Sequence, residues 1–80
     1  MQIHEICRRC GLTRKAVDYY RRRELIAPKL LENGYWDYSE EDALRLKRIA
    51  VLRGLGLSVD ETRAALDDPA ALNGILRRRQ

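Results

Sequence analysis

The chain lacks a long apolar run, has few sulfur ligands and has little length to spare. Its opening MQIHEICRRC contains nothing like the apolar stretch of a secretory signal or membrane span, which predicts a cytoplasmic location and no membrane partner. Two cysteines and one histidine are all it offers as soft metal ligands. Cys7 and Cys10 form a C-x-x-C with His4 three residues earlier, and a helix would bring the three roughly to one side, so a metal or redox role is one reading. However, Ile3, Ile6, Cys7 and Cys10 share the i, i+3, i+4, i+7 spacing of a buried helix face, where free Cys behaves as a small apolar residue. No second ligand pair completes a structural zinc site, so core packing is the expected role and no cofactor is expected. Eighty residues make one small domain, with a core sufficient to fold but too small to enclose a substrate pocket comfortably, which argues against an enzyme. No internal repeat or low-complexity linker divides it.

What the chain does have is basic charge in one place. Sixteen Lys and Arg against twelve Asp and Glu give a net charge of +4, a modest excess that suits a polyanionic partner. Between Arg14 and Lys29 six basic residues face two acidic ones, whereas from Ser39 to Gln80 the balance is eight to seven. The excess therefore surrounds the segment GLTRKAVDYYRRREL. Thr13 is a suitable N-cap, so a helix should begin near Arg14. Ala16, Val17 and Tyr20 then supply one buried face, while Arg14, Lys15, Arg21 and Arg22 take the other sides.

Around that segment the other elements follow in order. Ile3 to Cys10 reads as a first short helix stopped by Gly11, which suits the left-handed conformation past a helix end. A helix, a short Gly turn and a cationic second helix make the helix-turn-helix plan, and the second helix is the candidate DNA-reading element. After Arg23 the pattern fades, and Leu25, Ile26 and Pro28 form an apolar exit that Pro28 keeps from continuing as helix. In KLLENGYWDYS, Asn33-Gly34 signals a hairpin with a type I′ turn between two very short strands, that is, a wing. Ser39, followed by Glu40, Glu41 and Asp42, caps a third helix running to about Arg53, with Ala43, Leu46, Ile49 and Leu52 as its buried stripe. Leu44, Ala50 and Val51 lie off that stripe and are expected to be buried against neighbouring helices. Ser58-x-x-Glu61 opens a fourth helix to about Leu66, with Thr62, Ala65 and Leu66 inward. Pro69 would start a last helix carrying Leu72, Ile75 and Leu76.

Taken jointly, GLTRKAVDYY, LIAP, ENGYWDYSEEDA and LRGLGLSVDE resemble the DNA-binding domain of MerR-type bacterial transcription regulators, over nearly all of Ile3 to Leu66. The resemblance implies a mainly α, winged helix-turn-helix fold, with the second helix in the major groove and the hairpin wing gripping adjacent phosphates. It also implies a homodimer formed through a long helix that would follow Gln80, with that helix and any effector region absent from these 80 residues. Carried over by position, Arg14 and Lys15 should face bases and nearby phosphates, Tyr19 should donate its hydroxyl to a phosphate, and Tyr35 and Tyr38 should sit in or beside the wing. The candidate DNA-contacting set is thus Thr13, Arg14, Lys15, Tyr19, Arg22, Tyr35, Trp36 and Tyr38.

Three departures bear on charge. Asp18 stands where the family usually has Arg, Trp36 follows the wing tyrosine where Arg is usual, and Ala50 occupies a position often held by Lys or Arg. Each removes a phosphate contact, for which Arg21, Arg22 and Arg23 are expected to compensate. A competing reading is a MerR-like scaffold turned to a protein partner, with Trp36, Leu44 and Val51 as contacts. Strand alternation pairs Trp36 with Tyr38, and Trp36 is expected on the wing surface because the tyrosines already supply aromatic bulk.

Overall fold

A computed structural model describes residues 1–68, 70 and 74. The elements run α1 (Ile3–Cys10), α2 (Arg14–Arg22), β1 (Lys29–Leu30), β2 (Trp36–Asp37), α3 (Glu40–Gly54) and α4 (Val59–Asp67). The helix expected after Pro69 lies outside the described residues.

The chain divides into two compact units at residues 47 and 48, within α3. In the first, Ile6 of α1, Val17 and Tyr20 of α2, Leu25 and Ile26 of the exit, Tyr38, and Ala43 and Leu46 of α3 are buried. β1 and β2 pair antiparallel, with Lys29 opposite Asp37 and Leu30 opposite Trp36. The wing base is also tied to the start of the chain, because the Tyr38 N–H donates to the Met1 carbonyl at 2.8 Å.

In the second unit Leu52, Leu57 and Ala65 form an apolar cluster against which Leu66 packs. The entry to α4 is a full capping box: the Ser58 hydroxyl accepts from the Glu61 N–H at 3.1 Å, and the Glu61 carboxylate accepts from the Ser58 N–H at 2.8 Å. The buried stripe of α3 is Ala43, Leu46, Ile49 and Leu52, as its spacing requires. Leu44 and Val51 are not covered as expected: both are more than half exposed, at 60% and 64%. Both lie off the buried stripe, on the outer side of α3.

Candidate nucleic-acid interface

Thr13 begins α2 in extended conformation, and its hydroxyl accepts from the Ala16 N–H at 3.1 Å. That bond satisfies one of the donors left open in the first turn. Residues three and four apart share a helix side. Arg14, Asp18 and Arg22 therefore form one row and Lys15 and Tyr19 the next, while Val17 and Tyr20 are buried on the opposite side. Arg14, Lys15, Tyr19 and Arg22 are all exposed. Asp18 interrupts the cationic row, its carboxylate 3.9 Å from the Arg14 Nε. An exposed pair of this kind contributes about 0.3–0.5 kcal/mol, so Arg14 can leave it for a stronger anion at little cost.

Where α2 ends, the geometry is set by two backbone bonds. The Glu24 N–H donates to the Arg21 carbonyl at 2.9 Å and the Leu25 N–H to the Tyr20 carbonyl at 3.0 Å. This is the Schellman pattern, with Glu24 in the left-handed region at φ 61°. It drops Leu25 into the core and turns the chain toward the wing. Two α3 side chains then pin the exit. Arg45 Nε donates to the Leu25 carbonyl at 2.8 Å, and the buried Asp42 carboxylate accepts from both the Ala27 N–H at 3.2 Å and the Ser39 N–H at 2.9 Å. Asp42 reads in sequence only as one of three first-turn carboxylates. Its bond to Ala27 spans fifteen residues and has no local signal.

The wing turn differs from the expected type I′. The Gly34 N–H donates to the Leu31 carbonyl at 3.0 Å and the Leu31 N–H to the Tyr35 carbonyl at 2.8 Å. The loop is therefore the three residues Glu32, Asn33 and Gly34. Gly34 alone takes positive φ, at 87°. A three-residue hairpin loop places a left-handed residue last, so Asn-Gly serves it equally well. The Asn33 side-chain oxygen also accepts from the Tyr35 N–H at 3.1 Å.

Of the wing aromatics, only Tyr35 stands clear of the protein, at 68% exposure. Tyr38 is 2% exposed. It is a core residue, not a surface contact, and burial pushes its hydroxyl above the ordinary tyrosine range despite the nearby positive charge of Arg21. Trp36, expected on the surface, is half-buried. The alternation pairing it with Tyr38 holds, but that side faces inward. The Arg21 guanidinium covers the indole, with Cζ 4.5 Å from the ring centroid. Arg21, expected to replace a lost phosphate contact, is thus engaged with Trp36 at the foot of the wing.

Among the described residues, His4, Cys7 and Cys10 included, no three His, Cys, Asp or Glu side chains converge as ligands. Both thiols are half-buried, and burial raises each above the ordinary cysteine value. Cys10 Sγ approaches the Ala43 carbonyl at 3.5 Å, so it packs α1 against the start of α3.

An exposed cationic helix behind a Gly turn, followed by a two-stranded hairpin, defines a winged helix-turn-helix domain. The chain belongs to the MerR HTH family of regulatory proteins, whose family model matches residues 1–68. It is 42% identical over 66 residues to the HTH-type transcriptional regulator HmrR of Rhizobium leguminosarum bv. viciae, covering 82% of this chain and 51% of that protein. It is 38% identical over 61 residues to the regulator AdhR of Bacillus subtilis, covering 75% and 44%. Among solved structures, the N-terminus of the Bacillus subtilis multidrug transporter activator superposes with a TM-score of 0.79 at 28% identity, over 99% of this chain and 83% of that one. The chain spans about half the length of the curated relatives it matches. Those relatives are named as regulators of transcription. Among the described residues, no helix is long and apolar enough to cross a membrane.

Proposed function

We propose that the chain binds double-stranded promoter DNA sequence-specifically, with the exposed side of α2 in the major groove and the wing on the adjacent backbone. One observation carries this: α2 buries Val17 and Tyr20 and leaves Arg14, Lys15, Tyr19 and Arg22 exposed on the other side. Arg14 and Lys15 lie in the first turn, where a recognition helix meets base edges. Arg22 is further along and suits a phosphate, Tyr19 offers a neutral hydroxyl donor, and Thr13 keeps its hydroxyl proton for a backbone oxygen while its oxygen caps the helix. Tyr35 is the wing's exposed aromatic. The protein acts in the bacterial cytoplasm, needs no cofactor for DNA binding, and pairs as a homodimer when a further helix joins two copies.

Arg14→Ala and Lys15→Ala should weaken specific binding while changing stability by no more than about 0.5 kcal/mol. If either side chain reaches a base edge, discrimination at one base pair should fall by about 1–3 kcal/mol. Selection from random duplexes followed by shift assays across a salt series measures both. Unchanged affinity and preference in the pair of variants would remove α2 from the reading role.

The exposed Leu44 and Val51 favour a second reading, in which the scaffold docks a protein instead. Steep salt dependence with duplex DNA separates the two, since only the first releases counterions from phosphates.

A further inference from the structure

The wing has little to hold it in place by itself. Each strand is two residues long, and an isolated two-stranded hairpin is marginal in water at best. It is also poorly charged for gripping phosphates: KLLENGYWD carries one Lys against one Glu and one Asp. Whatever a wing of this composition contributes depends on where it is held. Arg21 supplies a hold. It leaves α2 at the margin between the buried and exposed sides, covers the Trp36 indole at 4.5 Å from Cζ to the ring centroid, and sets its positive charge near the buried Tyr38 hydroxyl. Its Nε is enclosed with no oxygen or nitrogen acceptor. The guanidinium face lies on the electron-rich indole, and arginine's planar fork suits stacking where a lysine ammonium does not.

We propose that Arg21 is a wing-positioning residue. By joining α2 to Trp36 and Tyr38 across the base of the hairpin, it makes the recognition helix and the wing one rigid surface, and it neutralises no DNA phosphate itself. The proposal rests on the DNA-binding reading for its consequence, but the latch exists in the free domain and is measurable there. Trp36 is the only tryptophan in the chain, so its fluorescence reports on the latch directly.

The test has two arms on the full 80-residue chain, with circular dichroism confirming that each variant folds. In the free protein, Arg21→Ala and Arg21→Lys should both shift Trp36 emission to the red and increase its quenching by acrylamide, because neither side chain stacks on the indole as a guanidinium does. In DNA binding, both variants should lose affinity by roughly five- to thirtyfold, the range expected for a contact of this size. The slope of log K against log salt should stay where it is, whereas Arg22→Ala should make it shallower by about 0.9. Trp36→Ala should match Arg21→Ala, and the double variant should be no worse than either single one.

Three results would overturn the latch: a salt slope shallower by about one in Arg21→Ala, full binding restored by Arg21→Lys, or Trp36 emission unmoved in both variants. If the parent chain bound DNA without salt dependence, the functional reading would fail, and the fluorescence arm alone would uphold or overturn the latch.

Discussion

Glu24 holds φ 61°, and among the described residues it is the one non-glycine in the positive-φ region. An L-residue there costs roughly 1–2 kcal/mol, part of which glycine would return as lost chain entropy. Glu24→Gly should therefore raise stability by about 0.5–1 kcal/mol, seen as a higher urea midpoint with an unchanged m-value. A lower midpoint would mean that the Glu24 side chain compensates for the strain. No local signal marks this turn, because at Gly11 the expected residue occupies the equivalent place and at Glu24 it does not. Tyr38 carries a second residue-scale consequence. Its hydroxyl pKa is raised, first by burial and next by the nearby Asp18 charge. Below the ordinary tyrosine value of about 10 the hydroxyl is neutral in both folded and unfolded chains, and its contribution to stability is fully present. As pH rises further the unfolded chain ionises first, so that contribution is lost through the higher folded pKa. Of the four tyrosines, one should ionise last and together with unfolding in an alkaline absorbance titration. Four tyrosines titrating together before the fold is lost would contradict its burial.

Three helices end the same way, each with a left-handed residue followed by Leu. The Leu12 N–H bonds the Cys7 carbonyl, Leu25 bonds Tyr20, and Leu57 bonds Leu52, at 3.1, 3.0 and 3.3 Å. In each case the leucine N–H closes the turn on the carbonyl five positions back, and Leu57 and Leu52 also share the second unit's apolar cluster. These ends and the caps at Thr13, Ser39 and Ser58 are local chemistry, which is why the limits of α1 to α4 were legible in the sequence. The wing was legible as a hairpin but not in its turn, because Asn-Gly satisfies both loop lengths. Which side of it faced inward was not legible, since alternation groups Trp36 with Tyr38 and only packing against α2 decides their direction. The same limit hid the engagement of Arg21. On α2 itself, Asp18 sits between Arg14 and Arg22 in one row and sets a negative charge where phosphates would approach. Asp18→Arg should steepen the salt slope by about 0.9 per phosphate gained, at a stability cost near the roughly 0.3–0.5 kcal/mol of the lost pair with Arg14. An unchanged slope would place this row away from the backbone.

At the scale of the whole molecule, the chain corresponds to about half of its curated relatives, and it presents one α2 and one wing. A single helix in one major groove and a weakly charged hairpin neutralise few phosphates, so a lone copy should hold one half-site weakly and lose it as salt rises. Two copies joined so that their α2 helices reach successive major-groove faces, about 34–36 Å apart, would make the second contact intramolecular. Affinity should then rise by about 10²–10⁴ with no new contact to DNA, provided that the joint spans that distance. The joint's geometry, not its strength, is therefore the quantity to vary. Fusing the domain after Gln80 to an antiparallel coiled coil in a series of lengths should give affinity that peaks at one length and falls on either side. The unfused chain should sediment as a monomer or a weak dimer. Equal gain at every length would mean that the copies bind independently, and a tight dimer of the unfused chain would place the joining surface within these 80 residues.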